Sequence, residues 1–337
     1  MRLKLLVFLA LLGVTVAEDN DLLQDSSITE YRGYFNREHS LLKPYMGHGM
    51  DVPYWDITGS TIVTAQQIRL TPNLQGRQGA VWSQIPVQSR DWELMVTFRI
   101  HGDSGKLFGD GIGIWYTRER NQVGPVFGSK NGFSGLGVFL DTYHNDYSSY
   151  AHTFPYIYAM VSDGTVMYDG DKDGGDGRLG GADSGCEVKF RNVEHETHVL
   201  IRYVGDTLTV YQDTENTGKW NQCLRVGGVH LPTGYYFGLS SATGDLSDNH
   251  DITAVRMFEI EYSRAENLNE MDPSRIQPKA DYVAPRDHVS NPSPSQMSTW
   301  GKWLLIILGV CATVGGIAVF GYLWYQDRQS RSRKRFY

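Results

Sequence analysis

The stretch "WELMVTFRI", residues 92–100, alternates. Trp92, Leu94, Val96, Phe98 and Ile100 fall on one side of an extended chain, with Glu93, Thr97 and Arg99 on the other. Successive strand side chains point to opposite faces, so a period of two marks a strand covering a core on one face. "TLTVYQ" (207–212) repeats the pattern. "IGIWY" (112–116), "GLGVFLDTY" (135–143), "YIYAMV" (156–161) and "GYYFGLSSA" (234–242) are short, nearly continuous apolar runs. Such runs fit strands buried on both faces or lining a concave site. Gly-rich turns separate them, and 37 glycines exceed the usual share. These signals fill residues 28–264 without a repeat period. They predict an all-β chain with one large jelly-roll β-sandwich.

Outside that stretch the composition changes. Residues 1–17 read as a signal peptide: Arg2 and Lys4, then "LLVFLALLGV", then "TVA" ending at Ala17. Residues 18–27 form an N-terminal segment. Residues 265–302 are polar and proline-bearing, which suits a lumenal stalk with at most a short helix. Trp303–Tyr325 runs 23 residues without a charge, roughly 34 Å as a helix and enough to cross a bilayer. Trp300, Trp303, Trp324 and Tyr325 stand where interfacial aromatics belong. The tail 326–337 has five basic residues and one acidic, which places it in the cytosol by the positive-inside rule. The expectation is a type I single-pass protein.

The net charge of −7 includes that basic tail and argues against a nucleic-acid partner. Cys186 and Cys223 lie in the lumenal part, where an oxidising compartment favours one disulfide. Cys311 lies in the span and reads as a small apolar residue. No N-glycosylation acceptor with an allowed middle residue occurs, since Asn291 precedes Pro292.

"YDGDKDGGDG" (168–177) imitates the opening of an EF-hand, with Asp169, Asp171 and Asp173 alternating before Gly174. An EF-hand needs a Glu at its twelfth position and flanking helices. The twelfth residue here is Gly180, and strand patterns flank the segment. "FLDTYHND" (139–146) instead ends an apolar strand in Asp141, Asn145 and Asp146. Continued alternation would set Asp141, Tyr143 and Asn145 on one side, an oxygen-rich set suited to Ca²⁺. Asp and Asn at a strand end also serve as turn formers. Asp110 in "FGDGIGIWYTRER" (108–120) and the loop "SATGDLSDNHD" (241–251) supply further carboxylates and amides, the groups that hold sugar hydroxyls. Paired catalytic carboxylates in an E-x-D-x-x-E strand, a G-x-S-x-G elbow and an H-E-x-x-H helix are all missing. Nothing in the sequence favours an enzyme.

"GDGIGIWYTRER" (109–120), "GPVFGSKNGFSGLGVFLDTYHND" (124–146), "FPYIYAMV" (154–161), "GYYFGLSSATGDLSDNHD" (234–251) and the terminal "KRFY" (334–337) together resemble the animal L-type lectins of the secretory pathway. The likeness covers nearly the whole chain, including signal, stalk, span and tail. It implies a legume-lectin-like jelly roll that binds high-mannose N-glycans in a Ca²⁺-dependent way. Carried over by residue, it implies that Asp141, the Tyr143 carbonyl, Asn145 and Asp173 hold the ion. Asp110, Asn145, Gly244, Asp245 and Leu246 would hold mannose, so Asn145 serves both. The resemblance also implies a non-proline cis peptide before Asp110 and a Cys186–Cys223 disulfide.

The chain departs from the family at one position. The family reads Y-D-H-x-x-D-G where this chain reads "YDGDKDG", so Gly170 replaces a His that contacts mannose. Asp171 and His144 are the neighbouring groups able to substitute. In the tail, Phe336–Tyr337 resembles an export signal read by vesicle coat proteins, and Lys334–Arg335 a dibasic retrieval signal. A simple stop-transfer anchor accounts for the basic run but not for a terminal Phe-Tyr. The resemblance therefore implies a cargo or quality-control receptor for glycoproteins in ER–Golgi transport. The alternative is a trafficking adaptor of the same fold with a weakened sugar site that recognises protein surfaces.

Overall fold

The computed structural model describes residues 33–46, 51–103, 108–145, 152–264, 272–281 and 299–333. The expected signal peptide, the segment 18–27, Asp146 and the tail residues Lys334, Arg335, Phe336 and Tyr337 lie outside the described residues. The chain divides into two units, residues 1–284 and 285–337.

Seventeen strands, numbered in chain order, occur among the described residues. One sheet holds β1 (Gly33–Leu41), β3 (Ile62–Val63), β4 (Ile68–Thr71), β6 (Trp92–His101), β11 (Thr197–Val204), β12 (Thr207–Asp213), β13 (Asn221–Gly227) and β16 (Asn249–Ile260). Its order is β13-β12-β11-β6-β16-β4-β3, with β1 also paired to β16. The other holds β2 (Trp55–Gly59), β5 (Gln78–Ser83), β7 (Gly111–Thr117), β8 (Ser134–Asp141), β9 (Tyr156–Asp163), β10 (Cys186–Glu187) and β15 (Tyr236–Ala242). It runs β10-β9-β8-β7-β15-β5-β2. β14 (Val229–His230) and β17 (Lys279–Ala280) form a small ribbon.

The alternation in β6 does what its sequence requires. Trp92, Leu94, Val96, Phe98 and Ile100 meet Ile112, Ile114, Leu136, Val138 and Leu140 of the facing sheet in one buried core. The continuous apolar strands are buried on both faces. Their other face carries a second cluster, Trp82, Trp115, Phe139, Tyr158 and Met160, closed by Val126, Phe127 and Phe133. Phe127 stacks on Phe139 at 5.1 Å. Trp115 Nε1 donates to Ser240 Oγ at 2.8 Å, and that hydroxyl donates to the Phe127 carbonyl at 2.7 Å. Each such buried side chain contributes about 2–3 kcal/mol. Gly113 makes room for this layer, because a Cβ there would lie 2.9 Å from the Trp115 ring.

Three long-range ties close the unit. The Cys186–Cys223 disulfide joins β10 to β13, the edges of the two sheets. On a chain-entropy model, closing that loop contributes about 4 kcal/mol. His250 Nδ1 lies 2.7 Å from Thr71 Oγ1, which lies 3.1 Å from Ser241 Oγ, so a polar bridge crosses the core from one sheet to the other. Arg264 donates twice to Asp91, once at 2.6 Å, with both side chains almost out of water.

The sequence reading ends the sandwich at residue 264, but the chain returns to it later. Pro273–Arg275 form a single 3-10 turn, and β17 pairs with β14. His230 Nε2 lies 3.0 Å from Asp281, and Ala280 packs on the main core. Two paired residues carry no readable period, which is why the segment reads as stalk. In the second unit, α1 (Thr299–Arg333) contains the expected span, and its segment Leu308–Gln329 is long and apolar enough to cross a membrane.

Removing the Arg264 side chain strands a buried carboxylate. Arg264→Ala is expected to destabilise the sandwich by about 3–5 kcal/mol, read by urea unfolding. His250 is fully buried, and burial pulls its pKa from 6.5 to about 3. Below 6.5 the unfolded chain takes up a proton that the folded chain refuses, so stability falls as the pH drops from 6.5 towards 3. His250→Gln is expected to flatten that slope by up to about 1.4 kcal/mol per pH unit in melts between pH 7 and 5.

Candidate functional site

Register gathers the polar loops at one sheet edge. Gly111 at the start of β7 pairs with Asp141 at the end of β8 and with Ala242 at the end of β15. Asp110, Thr142–Asn145 and Thr243–Leu246 therefore leave the sheet side by side. The loops touch at Gly109. A Cβ there would lie 3.5 Å from the Tyr143 Cβ and 3.6 Å from the Leu246 Cβ. The Gly109–Asp110 peptide is cis.

Asp141 follows Phe139 on the face of the aromatic layer, and its carboxylate is 2% exposed. Tyr158 Oη donates to its Oδ2 at 2.9 Å. The Tyr143 amide donates to its Oδ1 at 3.0 Å. That bond corrects one expectation. The strand stops at Asp141, so alternation does not continue to Tyr143 and Asn145. An Asx-type turn carries the chain onward instead. Asp173, 1% exposed, reaches the same place from the far side. The Asn145 amide donates to both its carboxylate oxygens, at 3.1 and 3.2 Å.

The turn holding Asp173 is the stretch that imitates an EF-hand. Asp169 caps a 3-10 turn, Gly170–Lys172, by accepting from the Asp171 amide at 3.2 Å. Asp169 and Asp171 stay exposed, while Asp173 takes a left-handed conformation (φ 48°) and turns inward. Arg178 braces it, donating from Nε to the Asp173 carbonyl at 2.7 Å and from Nη1 to the Ala182 carbonyl at 3.0 Å. Its guanidinium lies 4.5 Å over the Tyr158 ring. The two tyrosine hydroxyls of Tyr158 and Tyr168 are 2.7 Å apart. Tyr158, Tyr168 and Arg178 escape the sequence reading. The placement of Tyr158 on the Phe139 face of β9 was the one available signal.

Burial drives the Asp141 pKa well above the ordinary carboxylate range, and the Asp173 charge pushes it the same way. Two buried like charges favour a cation between them. The residues whose main-chain amides bond this pair, Tyr143 and Asn145, also carry neutral oxygens, a main-chain carbonyl and a side-chain amide. Among the described residues no three His, Cys, Asp or Glu side chains gather as a metal cluster. Two carboxylates with amide and carbonyl oxygens are hard donors, which fits Ca²⁺.

Asp110 is half-buried, and burial raises its pKa to about 6. Its amide donates to Ala242 at 3.3 Å, and its carbonyl accepts from the Thr142 amide at 3.0 Å. The loop 243–249 is braced by residues 73–77, a contact with no periodic mark in the sequence. Gly76 N donates to Gly244 O at 3.1 Å, Gln75 Nε2 to Asp245 O at 2.6 Å, and Ser247 Oγ to Asn73 Oδ1 at 2.7 Å. A side chain at Gly244 would meet nothing within 4 Å, so this backbone faces open space. Gly170 is equally open, with Tyr168 at 3.9 Å the nearest contact for a Cβ. Of the two groups expected to replace a histidine there, His144 stacks on Phe154 at 5.0 Å, and Asp171 lies exposed on the same turn.

Comparison with known proteins identifies the fold and the family to which the sandwich is similar. The model of the "Legume-like lectin family" matches residues 32–267. Vesicular integral-membrane protein VIP36 of Canis lupus familiaris is 43% identical over 338 aligned positions, covering 98% of this chain and 91% of that protein. VIP36-like protein of Bos taurus is 44% identical, covering 90% and 86%. The crystal structure of the VIP36 exoplasmic/lumenal domain in its Ca²⁺/Man2-bound form superposes with a TM-score of 0.69 at 45% identity, covering 74% of this chain and 98% of that one.

Asp173→Asn removes half of the charge facing the cation position while keeping the turn. It is expected to weaken Ca²⁺ binding about 100-fold by titration calorimetry, with circular dichroism unchanged. Wild-type Ca²⁺ affinity in this variant would rule out Asp173 as a ligand.

Proposed function

The chain belongs to the legume-like lectin family, and on that premise we propose that it is a calcium-dependent lectin for high-mannose N-glycans, acting as a cargo or quality-control receptor in ER–Golgi transport. One observation carries this reading. The buried pair Asp141 and Asp173 and the open loops of Asp110 and Gly244–Asp245–Leu246 share one sheet edge, with Asn145 between them. Asp141, Asp173, the Asn145 amide and the Tyr143 carbonyl would hold Ca²⁺. When bound, the ion neutralises the two carboxylates and fixes the oxygens around it.

Asp110 accepts hydrogen bonds from sugar hydroxyls, and the backbone of 244–246, whose Gly244 and Asp245 carbonyls are held by Gly76 and Gln75, supplies main-chain amides. Leu246 offers an apolar contact to the carbon face of the ring. Asn145 couples the ion to the sugar, because its main chain is fixed on Asp173 while its side chain stays exposed. Nothing in this arrangement calls for bond cleavage, so the proposed activity is binding without turnover. With α1 as a single membrane anchor, the lectin unit would face the lumen. Lys334, Arg335, Phe336 and Tyr337 would then engage vesicle coat proteins.

A second reading, an adaptor with a weakened sugar site, rests on Gly170. A glycine offers the sugar only backbone, and one lost hydrogen bond costs about 1 kcal/mol. The full chain in detergent is expected to bind immobilised mannose with Ca²⁺ and to elute with chelator. Passage through the column in Ca²⁺ would favour the adaptor.

Gly170→His tests the position itself. It is expected to tighten mannose binding several-fold at pH 7 and to steepen the loss of affinity towards pH 5, where imidazole protonates. The wild-type chain lacks that imidazole and should lose affinity towards pH 5 only through Asp110, whose pKa burial raises to about 6, and otherwise when Ca²⁺ is withdrawn. Identical affinities and pH profiles in the two proteins would refute a role for position 170.

A further inference from the structure

Arg191 is neither an ion ligand nor a sugar contact in that reading, yet it grips both sugar loops. It lies between β10 and β11, and its backbone bridges Ile100 in β6. The Asn192 amide donates to the Ile100 carbonyl at 3.0 Å, and Asn192 Oδ1 accepts from the Gly102 amide at 3.0 Å. The base of the side chain is therefore fixed to a core strand.

From that base the guanidinium makes three contacts. Nε and Nη2 donate to the two carboxylate oxygens of Asp248, both at 2.8 Å. Nη2 also donates to the Asp103 carbonyl at 3.0 Å. The guanidinium carbon lies 3.8 Å from the centre of the Phe108 ring. Asp248 stands two residues after Leu246, and Phe108 two residues before Asp110. The ion pair is almost out of water, with side chains 9% and 0% exposed. Gly102 leaves space for it, since a Cβ there would lie 2.0 Å from Asp248 Oδ1.

We propose that Arg191 is a positioning residue for the sugar: by clamping Asp248 and Phe108 together it sets the spacing between Asp110 and Gly244–Asp245–Leu246, and thereby the affinity for mannose. The inference rests on the proposed reading of those residues as the sugar site. Its chemistry is particular to arginine. A planar fork matches a carboxylate in two-point fashion and stacks on an aromatic ring at once, whereas a lysine ammonium does neither. Binding groups displaced by fractions of an ångström lose affinity although each remains present.

The test uses the full chain in detergent. Ca²⁺ affinity is measured by calorimetry without sugar, and mannose and Man2 affinities at saturating Ca²⁺. Arg191→Lys keeps the charge and loses the fork and the stack. It is expected to weaken both sugars about tenfold or more while Ca²⁺ affinity stays within about twofold. Phe108→Leu keeps the ion pair and loses only the stack, with a sugar loss of a few-fold expected. Unchanged sugar affinity in Arg191→Lys would overturn the proposal. So would a parallel fall in sugar affinity, Ca²⁺ affinity and thermal midpoint, which marks a general structural role. If Arg191→Lys does not fold, Phe108→Leu decides by the same two criteria. A wild-type chain that binds Ca²⁺ but neither sugar defeats the reading of the site itself, and the inference with it.

Discussion

Two carboxylates, Asp141 and Asp173, lie together almost wholly out of water, and much of the sandwich is arranged around that arrangement's cost. A charge in a low-dielectric site needs a partner or a proton, and two like charges need one more urgently. The aromatic layer that buries Asp141 also supplies its first hydrogen bond through Tyr158. Tyr168 lies against Tyr158, and Asn131 fixes Tyr168 by bonding both its main-chain groups. Arg178 settles the Asp173 turn through a carbonyl oxygen and leaves the carboxylate to Asn145. On the proposed reading, the fold presents oxygens of fixed position to a cation, with little left to reorganise when one arrives.

Much of this was legible in the sequence. The period of two in 92–100 gives β6, and the continuous apolar runs give strands covered on both faces, because burial selects side chains face by face. What covers the second face could not be read. Phe127 and Phe133 sit in a connection whose partners are distant in sequence, and non-local packing leaves no periodic mark. The braces at residues 73–77 and the return of β17 fail to show for the same reason. Asp141 was visible as the polar end of an apolar strand. Asp173 was not separable from Asp169 and Asp171 by spacing, which points to the wrong site altogether. Only the family resemblance singled it out; of the three aspartates its side chain is the buried one.

The site divides into two kinds of structure. On the proposed ion side, Asp141, Asp173, Tyr158 and Arg178 are buried and cross-bonded. On the proposed sugar side, the loops are held from beneath while Gly244 and Asp245 stay exposed. Arg191, Asn73 and Gln75 work from below, through Asp248, Ser247 and the Asp245 carbonyl. Sugar recognition by backbone groups demands such support, since main-chain atoms are placed only as well as the loop that carries them.

Gly170 is exposed on the turn that holds Asp173. A Cβ there would touch only Tyr168, at an ordinary 3.9 Å, so a new side chain would displace no neighbour. Most functional positions couple stability to activity, and change at them is limited by what the fold tolerates. This one is uncoupled. On the proposed reading of position 170 as facing the sugar, its identity can change without passing through an unstable intermediate, so ligand strength would shift there while the scaffold stays still.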